Sequence, residues 1–168
     1  MAEEIDHASR LDRQLLQHGP IALYFQWRIL EEATEWFSQQ NYEVVTFDCR
    51  QWRSPEDFFT DVSQRLRFPE YFGRNLDAFN DCLSEIDLPQ KQGTVLVFLR
   101  FETFTARHPQ FAWTVLDIIA TNAYRFLLDS YQLIALVQSD DPKLSFQPVG
   151  AHPVLWNPRE WFNKNRGL

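Results

Sequence analysis

Four short runs constrain what this chain can fold into: IALYFQW (21–27), YEVVTFDC (42–49), TVLVFLRF (94–101) and YQLIALVQ (131–138). Each is nearly continuous in apolar residues rather than alternating, the pattern of a strand whose two faces are both covered at least in part. Segments of helical character separate them. LEEATEWFSQQ (30–40) follows the first run. SPEDFFTDVSQRL (54–66) follows the second, with Ser54 at the cap, Pro55 at the first helical position and Asp57 three residues after the cap. Further helices are expected over 76–86 and 109–128, and a last turn over NPREWF (157–162), where Asn-Pro-x-Glu repeats the start signal. Strands alternating with helices imply an α/β fold with a small, mostly parallel sheet and right-handed crossovers. Residues 1–18 are only weakly periodic and read as a short helix or an arm. Residues 140–155, with three prolines, read as an ordered but irregular connection. There is no internal repeat and no low-complexity segment.

A chain of 168 residues, 45% of them apolar, fits a single domain with a real core. Its net charge of −7 argues against a broad nucleic-acid or anionic-membrane surface, both of which need basic patches. Cys49 and Cys82 are the only cysteines and are expected to be reduced, buried thiols. The N-terminus, MAEEIDHASR, lacks a basic segment leading into an apolar one, and no apolar run approaches the roughly 20 residues of a membrane span. A soluble cytoplasmic protein is the expectation.

The negative charge is unevenly placed. Residues 69–90 hold five acids (Glu70, Asp77, Asp81, Glu85 and Asp87) and one base, Arg74, so more than half of the excess sits in a short segment. With Asn75 as cap and a helix from Leu76 to Ile86, Leu76, Phe79, Leu83 and Ile86 share one face. Asp77, Asp81 and Glu85 share the opposite face. Like charges four residues apart cost a free helix about 0.2–0.5 kcal/mol per pair. Asp77 gains from the helix dipole, whereas Asp81 and Glu85 lie too far along. A solvated surface face is one reading of this ladder. A face for a partner cleft lined by Arg, Lys and His, where carboxylates take the bonds normally given to phosphate, is the other. The preceding loop, FPEYFGRN (68–75), supports the second: Pro69 and Gly73 shape its turn, and of Tyr71 and Phe72 one is expected to pack inward and the other to serve as an interface anchor.

PEYFGRNLDAFNDCL (69–83) resembles the signature of the barstar family, inhibitors of barnase-type ribonucleases. The order of elements from about 42 to 138 follows the same family. The likeness implies a barstar-like layered fold forming one domain over 1–168, with a family core at 42–138, an N-terminal strand–helix extension (1–41) that adds a fourth strand, and a C-terminal extension (139–168). It implies an intracellular, immunity-type inhibitor that plugs a basic ribonuclease one-to-one without being an enzyme. By position, Tyr71 would stack in the nuclease cleft, Gly73 and Asn75 would shape the loop and exchange bonds, and Asp77 and Asp81 would meet basic catalytic groups. The chain departs from the family pattern at Asn80 and Ile86, where the family has tryptophans, and near Thr121, where it has a glutamate on the long helix. Glu85 and Asp87 offer replacement charge.

Other functions fit the residues less well. The five glycines are scattered singly, so no phosphate loop exists, and no Gly-x-Ser-x-Gly elbow appears. His7, His18, His108 and His152 lack metal-ligand spacing, and His108 before Pro109 reads as a helix start. Asp77 and Asp81 on a convex helix face are poorly placed for acid–base catalysis. No cofactor and no metal are expected. The alternative is a binding module that kept the fold but took another basic protein as target, with Trp27, Trp36 or Trp52 on its surface. For these three tryptophans core packing is the expectation.

Overall fold

The structure, a computed structural model, describes residues 10–168. The acidic N-terminal arm and His7 lie outside the described residues. In chain order the elements are α1 (Leu11–Leu16), β1 (Ile21–Tyr24), α2 (Trp27–Gln39), β2 (Tyr42–Asp48), α3 (Pro55–Arg65), α4 (Leu76–Leu83), β3 (Gly93–Leu99), α5 (Phe101–Arg107), α6 (Pro109–Leu127), β4 (Gln132–Gln138) and β5 (Leu155–Trp156). Short 3₁₀ turns at Cys49–Gln51, Pro158–Glu160 and Asn163–Arg166 complete it. The strands form one all-parallel sheet in the order β2-β3-β4-β1-β5.

The chain moves one way along the sheet from β1 to β2 and the other way from β2 to β4, so right-handed crossovers put their helices on opposite faces. Side-chain alternation follows suit. Val95, Val97, Ile134 and Leu136 pack with Leu15, Ile29, Leu30, Ala33 and Phe37 of α1 and α2. Leu96, Phe98, Leu133, Ala135 and Val137 pack with Phe58, Val62, Phe79, Leu83, Val115 and Ile119 of α3, α4 and α6. With both faces covered, the apolar runs have no reason to alternate. Trp52, 1% exposed, is ringed by Phe47, Phe58, Phe98 and Phe104.

Several boundaries differ from the sequence expectation, each for a local reason. The first strand stops at Tyr24 because the Phe25 and Gln26 amides donate to the buried Glu160 carboxylate (2.8 and 2.9 Å), and Trp27 opens α2. The third stops at Leu99 because Arg100 turns left-handed (φ 53°), and Phe101 starts α5, a helix that FETFTAR did not announce. Tyr42 and Tyr131, expected to begin strands, do so at Tyr42 and one residue late at Gln132. The tail contributes an unexpected fifth strand, since Leu155 and Trp156 pair with Ala22 and Leu23. Asn157-Pro-x-Glu does start a turn, with Asn157 accepting from the Arg159 amide, and the Glu160 carboxylate both accepts from Asn157 Nδ2 (2.9 Å) and serves the start of α2. Residues 11–16 form the short helix among the two readings offered.

α1 is anchored through Asp12, whose side chain is 1% exposed. Burial alone would push this carboxyl up. Bonds from Arg10 (2.9 Å), the Tyr42 hydroxyl (2.6 Å) and the Arg13 amide (2.8 Å) outweigh it and hold the group below its ordinary value of 3.8. A carboxyl depressed in the fold contributes stability that is present above its unfolded pKa and lost as pH falls through its folded one. The urea midpoint of the wild type should therefore fall as pH drops below about 4, and Asp12→Asn should flatten part of that fall. Equal slopes for both proteins would remove Asp12 from the acid response.

Candidate functional site

The segment from Pro69 to Asp87 covers one side of the α3/α6 layer, and its geometry starts in the loop. The Phe72 amide donates to the Pro69 carbonyl (2.9 Å), closing a turn that sends two neighbouring aromatics in different directions. Phe72 packs on Phe59 and Phe68, whereas Tyr71 is 82% exposed. The left-handed residue of this loop is Arg74 (φ 53°), not Gly73. Gly73 is instead a close approach, since a Cβ there would sit 3.3 Å from Asn75 Nδ2 and 3.4 Å from Ala78 Cβ. Asn75 then starts α4: its Oδ1 accepts from the Ala78 amide (2.8 Å) and its Nδ2 donates to the Gly73 carbonyl (3.2 Å). Asn75→Ala should lower stability by about 1 kcal/mol, the usual worth of an N-cap, as read from the urea midpoint. A midpoint unchanged within error would show that the α3/α6 contacts alone fix the start of α4.

Packing of α4 follows the expected stripe. Phe79 and Leu83 are buried, and Leu76 and Ile86 lie against the same core. The helix ends earlier than expected, at Leu83. Ser84 donates its hydroxyl to the Asp81 carbonyl (2.6 Å), and the Glu85 and Ile86 amides bond three residues back, so the chain tightens into a turn. Asp77 and Asp81 therefore stand on the helix, while Glu85 and Asp87 extend the acidic row from the turn beyond it. All four are exposed, and among the described residues no ion pair or side-chain hydrogen bond engages their carboxylates.

The only base of the segment does not neutralise them. Arg74 reaches away to α3, where Nη2 donates to Glu56 Oε2 (3.0 Å), to the Glu56 carbonyl (3.2 Å) and to Thr60 Oγ1 (2.7 Å). Neither Arg74 nor Glu56 announced this pairing, since they are far apart in sequence and the contact depends on how α3 and α4 pack.

The three departures from the family pattern have clear surroundings. Asn80 accepts from Asn122 Nδ2 (2.8 Å), a residue buried in α6, and so ties the two helices together. Ile86 packs on the core, and Thr121 is exposed with its hydroxyl on the Asp117 carbonyl (2.9 Å). Cys82 is half-buried and free, and burial, with Glu85 and Asp81 nearby, pushes its thiol up; Cys49 is fully buried and raised well above its usual value by the same desolvation. Both are protonated and poorly nucleophilic near neutral pH.

Of the three tryptophans considered as surface anchors, only Trp52 lies fully in the core. Trp36 is half-buried against the α2 cluster. Trp27 is 37% exposed, with Nε1 on Asp140 (3.3 Å) and the Arg100 guanidinium over its ring. Its place at the first turn of α2, over the carboxyl ends of the strands, left it no apolar layer to enter. His108 lies between α5 and α6, its ring against the Arg53 carbonyl (3.2 Å), which agrees with a helix-start role.

A small parallel sheet with helices on both faces, fronted by a capped acidic helix and an exposed tyrosine loop, defines a layered α/β protein. The family model described as Barstar (barnase inhibitor) matches residues 42–137, and the chain belongs to the barstar family. It is also 35% identical over 91 residues to a protein of Bacillus subtilis (strain 168) named "Putative ribonuclease inhibitor YrdF", covering 54% of this chain and 94% of that protein. The match contains β2, α3, α4, β3, α5, α6 and β4. β1 and β5, which complete the sheet beyond β4, fall outside the family match.

Proposed function

We propose that this chain inhibits a basic ribonuclease, one-to-one and without catalysis of its own, by laying α4 and its leading loop into the enzyme's cleft. The observation that carries this reading is the row of exposed, unpaired carboxylates at Asp77, Asp81 and Glu85, left open because the neighbouring base is held on α3. Two carboxylates on consecutive turns offer several acceptor oxygens to Arg, Lys or His of a cleft built for phosphates. Tyr71 supplies a rigid, amphipathic surface at the loop tip. Gly73 and Asn75 fix the loop so that Tyr71 and Asp77 belong to one surface. Residues 69–90 carry a net of −4, which steers a basic partner toward this side. The two free thiols suit a protein acting in the cytoplasm, as a single domain in which 10–41 and 139–168 extend the family core.

A second reading keeps the binding face but changes its target to another basic protein. Asn80 favours it, because an asparagine tied to Asn122 offers a partner a different surface from a tryptophan. Affinity capture decides between them. The baits are the wild-type chain and its Asp77→Ala/Asp81→Ala variant, with eluates identified by mass spectrometry and assayed for RNA cleavage. A ribonuclease held by the first bait and lost from the second supports inhibition. A basic protein without nuclease activity, lost in the same way, supports the second reading. Identical partners on both baits would rule out α4 as the binding face.

A further inference from the structure

The geometry points to Arg74 as a positioning residue of the binding face, acting through a clasp with Glu56 and Thr60 and not through its own charge. This rests on the reading of α4 and its leading loop as the surface that meets a basic partner. Arg74 adopts a left-handed backbone conformation (φ 53°), which is unfavourable for a residue with a Cβ. It occupies the one place where loop and helix join, directly before the Asn75 cap. Its guanidinium bridges to the first two turns of α3 through four contacts: Nε and Nη2 to Glu56 Oε2 (3.2 and 3.0 Å), Nη2 to the Glu56 carbonyl (3.2 Å) and Nη2 to Thr60 Oγ1 (2.7 Å).

Stability is a poor reason for such an arrangement. The side chains of Arg74 and Glu56 are 43% and 69% exposed, and pairs of that kind contribute little to folding. Two effects on the surface follow instead. The clasp fixes the loop between Tyr71 and Asn75 against α3, so that the tyrosine and the acidic helix are presented together before any partner arrives, and less ordering is left for binding. It also turns the one local base from the acidic face. Without Glu56, the carboxylate closest to Arg74 in sequence is Asp77, three residues along, within reach of a long side chain at a helix start.

Charge and position make opposite predictions for one substitution. If Arg74 mattered only as a positive charge beside an acidic face, Arg74→Ala would tighten binding to a basic partner and Glu56→Gln would weaken it. If the clasp positions the face, both substitutions weaken it. The experiment uses the full chain as wild type, Arg74→Ala, Glu56→Gln and Asp77→Ala/Asp81→Ala. Barnase is the probe in stopped-flow and calorimetric titrations, and hydrogen exchange is followed by mass spectrometry without any partner. The expected result is faster exchange at 70–78 in both clasp variants, with β3, β4 and α6 unchanged, and at least fivefold weaker barnase binding in each, mainly through faster dissociation. Tighter binding by Arg74→Ala, or exchange at 70–78 equal to wild type, would overturn the clasp. Barnase binding that survives in the double-aspartate variant would overturn the binding-face reading instead. If the wild type does not bind barnase, the exchange data alone decide whether Arg74 positions the loop.

Discussion

If α4 meets a basic ribonuclease as proposed, replacing Asp77 and Asp81 together by alanine is expected to weaken that binding by about a thousandfold, roughly 4 kcal/mol. The magnitude follows from removing two charged groups at about 2 kcal/mol each, the low end for charge pairs desolvated at an interface; barnase with barstar is the standard example of such an interface. The fold should hardly notice. Both carboxylates are exposed and unpaired in the free protein, and the loss of Asp77's favourable position near the helix N-terminus is offset by removing the repulsion between the two. Calorimetric titration and thermal unfolding together make the test. Lost affinity with an unchanged midpoint identifies a binding surface, and a lowered midpoint with intact affinity identifies a structural one.

Trp52→Ala should do the reverse, costing about 3–5 kcal/mol of stability, a large part of what a domain of this size possesses. The indole is 1% exposed among Phe47, Phe58, Phe98 and Phe104, and its Nε1 donates to Asp61 (2.8 Å). Truncation leaves a large cavity at the meeting point of β2, β3, α3 and α5, and removes a donor from the Asp61 carboxylate. The thermal midpoint should drop by roughly 10 °C. A drop of only a degree or two would mean that the surrounding phenylalanines collapse into the space. The same burial removes Trp52 from the candidates for a partner surface.

The sheet could be read from the sequence because its strands are buried on both faces and announce themselves by composition. Four of the five strands, the long helix at 109–127 and the start of α3 needed no tertiary information. Elements that depend on distant partners were illegible. β5 is two residues long and exists because Leu23 accepts it; α5 exists because Arg100 turns left-handed where Gln138 takes its amide (2.8 Å). At the candidate site, the exposure of Asp77 and Asp81 followed from helical periodicity, and the Asn75 cap from residue type. Residue type alone foresaw that one of Tyr71 and Phe72 would pack and the other stay exposed, and it took the family resemblance to point to Tyr71 as the exposed one. Nothing local signalled the Glu56–Arg74 clasp or the Asn80–Asn122 tie, since each is decided by a residue on another helix, and the early end of α4 rests on a tightening at Ser84 that the apolar stripe running on to Ile86 concealed.

The sheet order also bears on how the chain is made. Among the described strands β1 is made first, yet it pairs with β4 at Ala135 to Gln138 and with β5 at Leu155 and Trp156, which are made last. Between β1 and these partners in the sequence lie α2, β2, α3, α4, β3, α5 and α6, so closing this edge of the sheet is a long-range step. The acidic helix needs α6 as well, through the Asn80–Asn122 bond, so neither it nor this edge of the sheet is complete until residues well beyond 100 have been made.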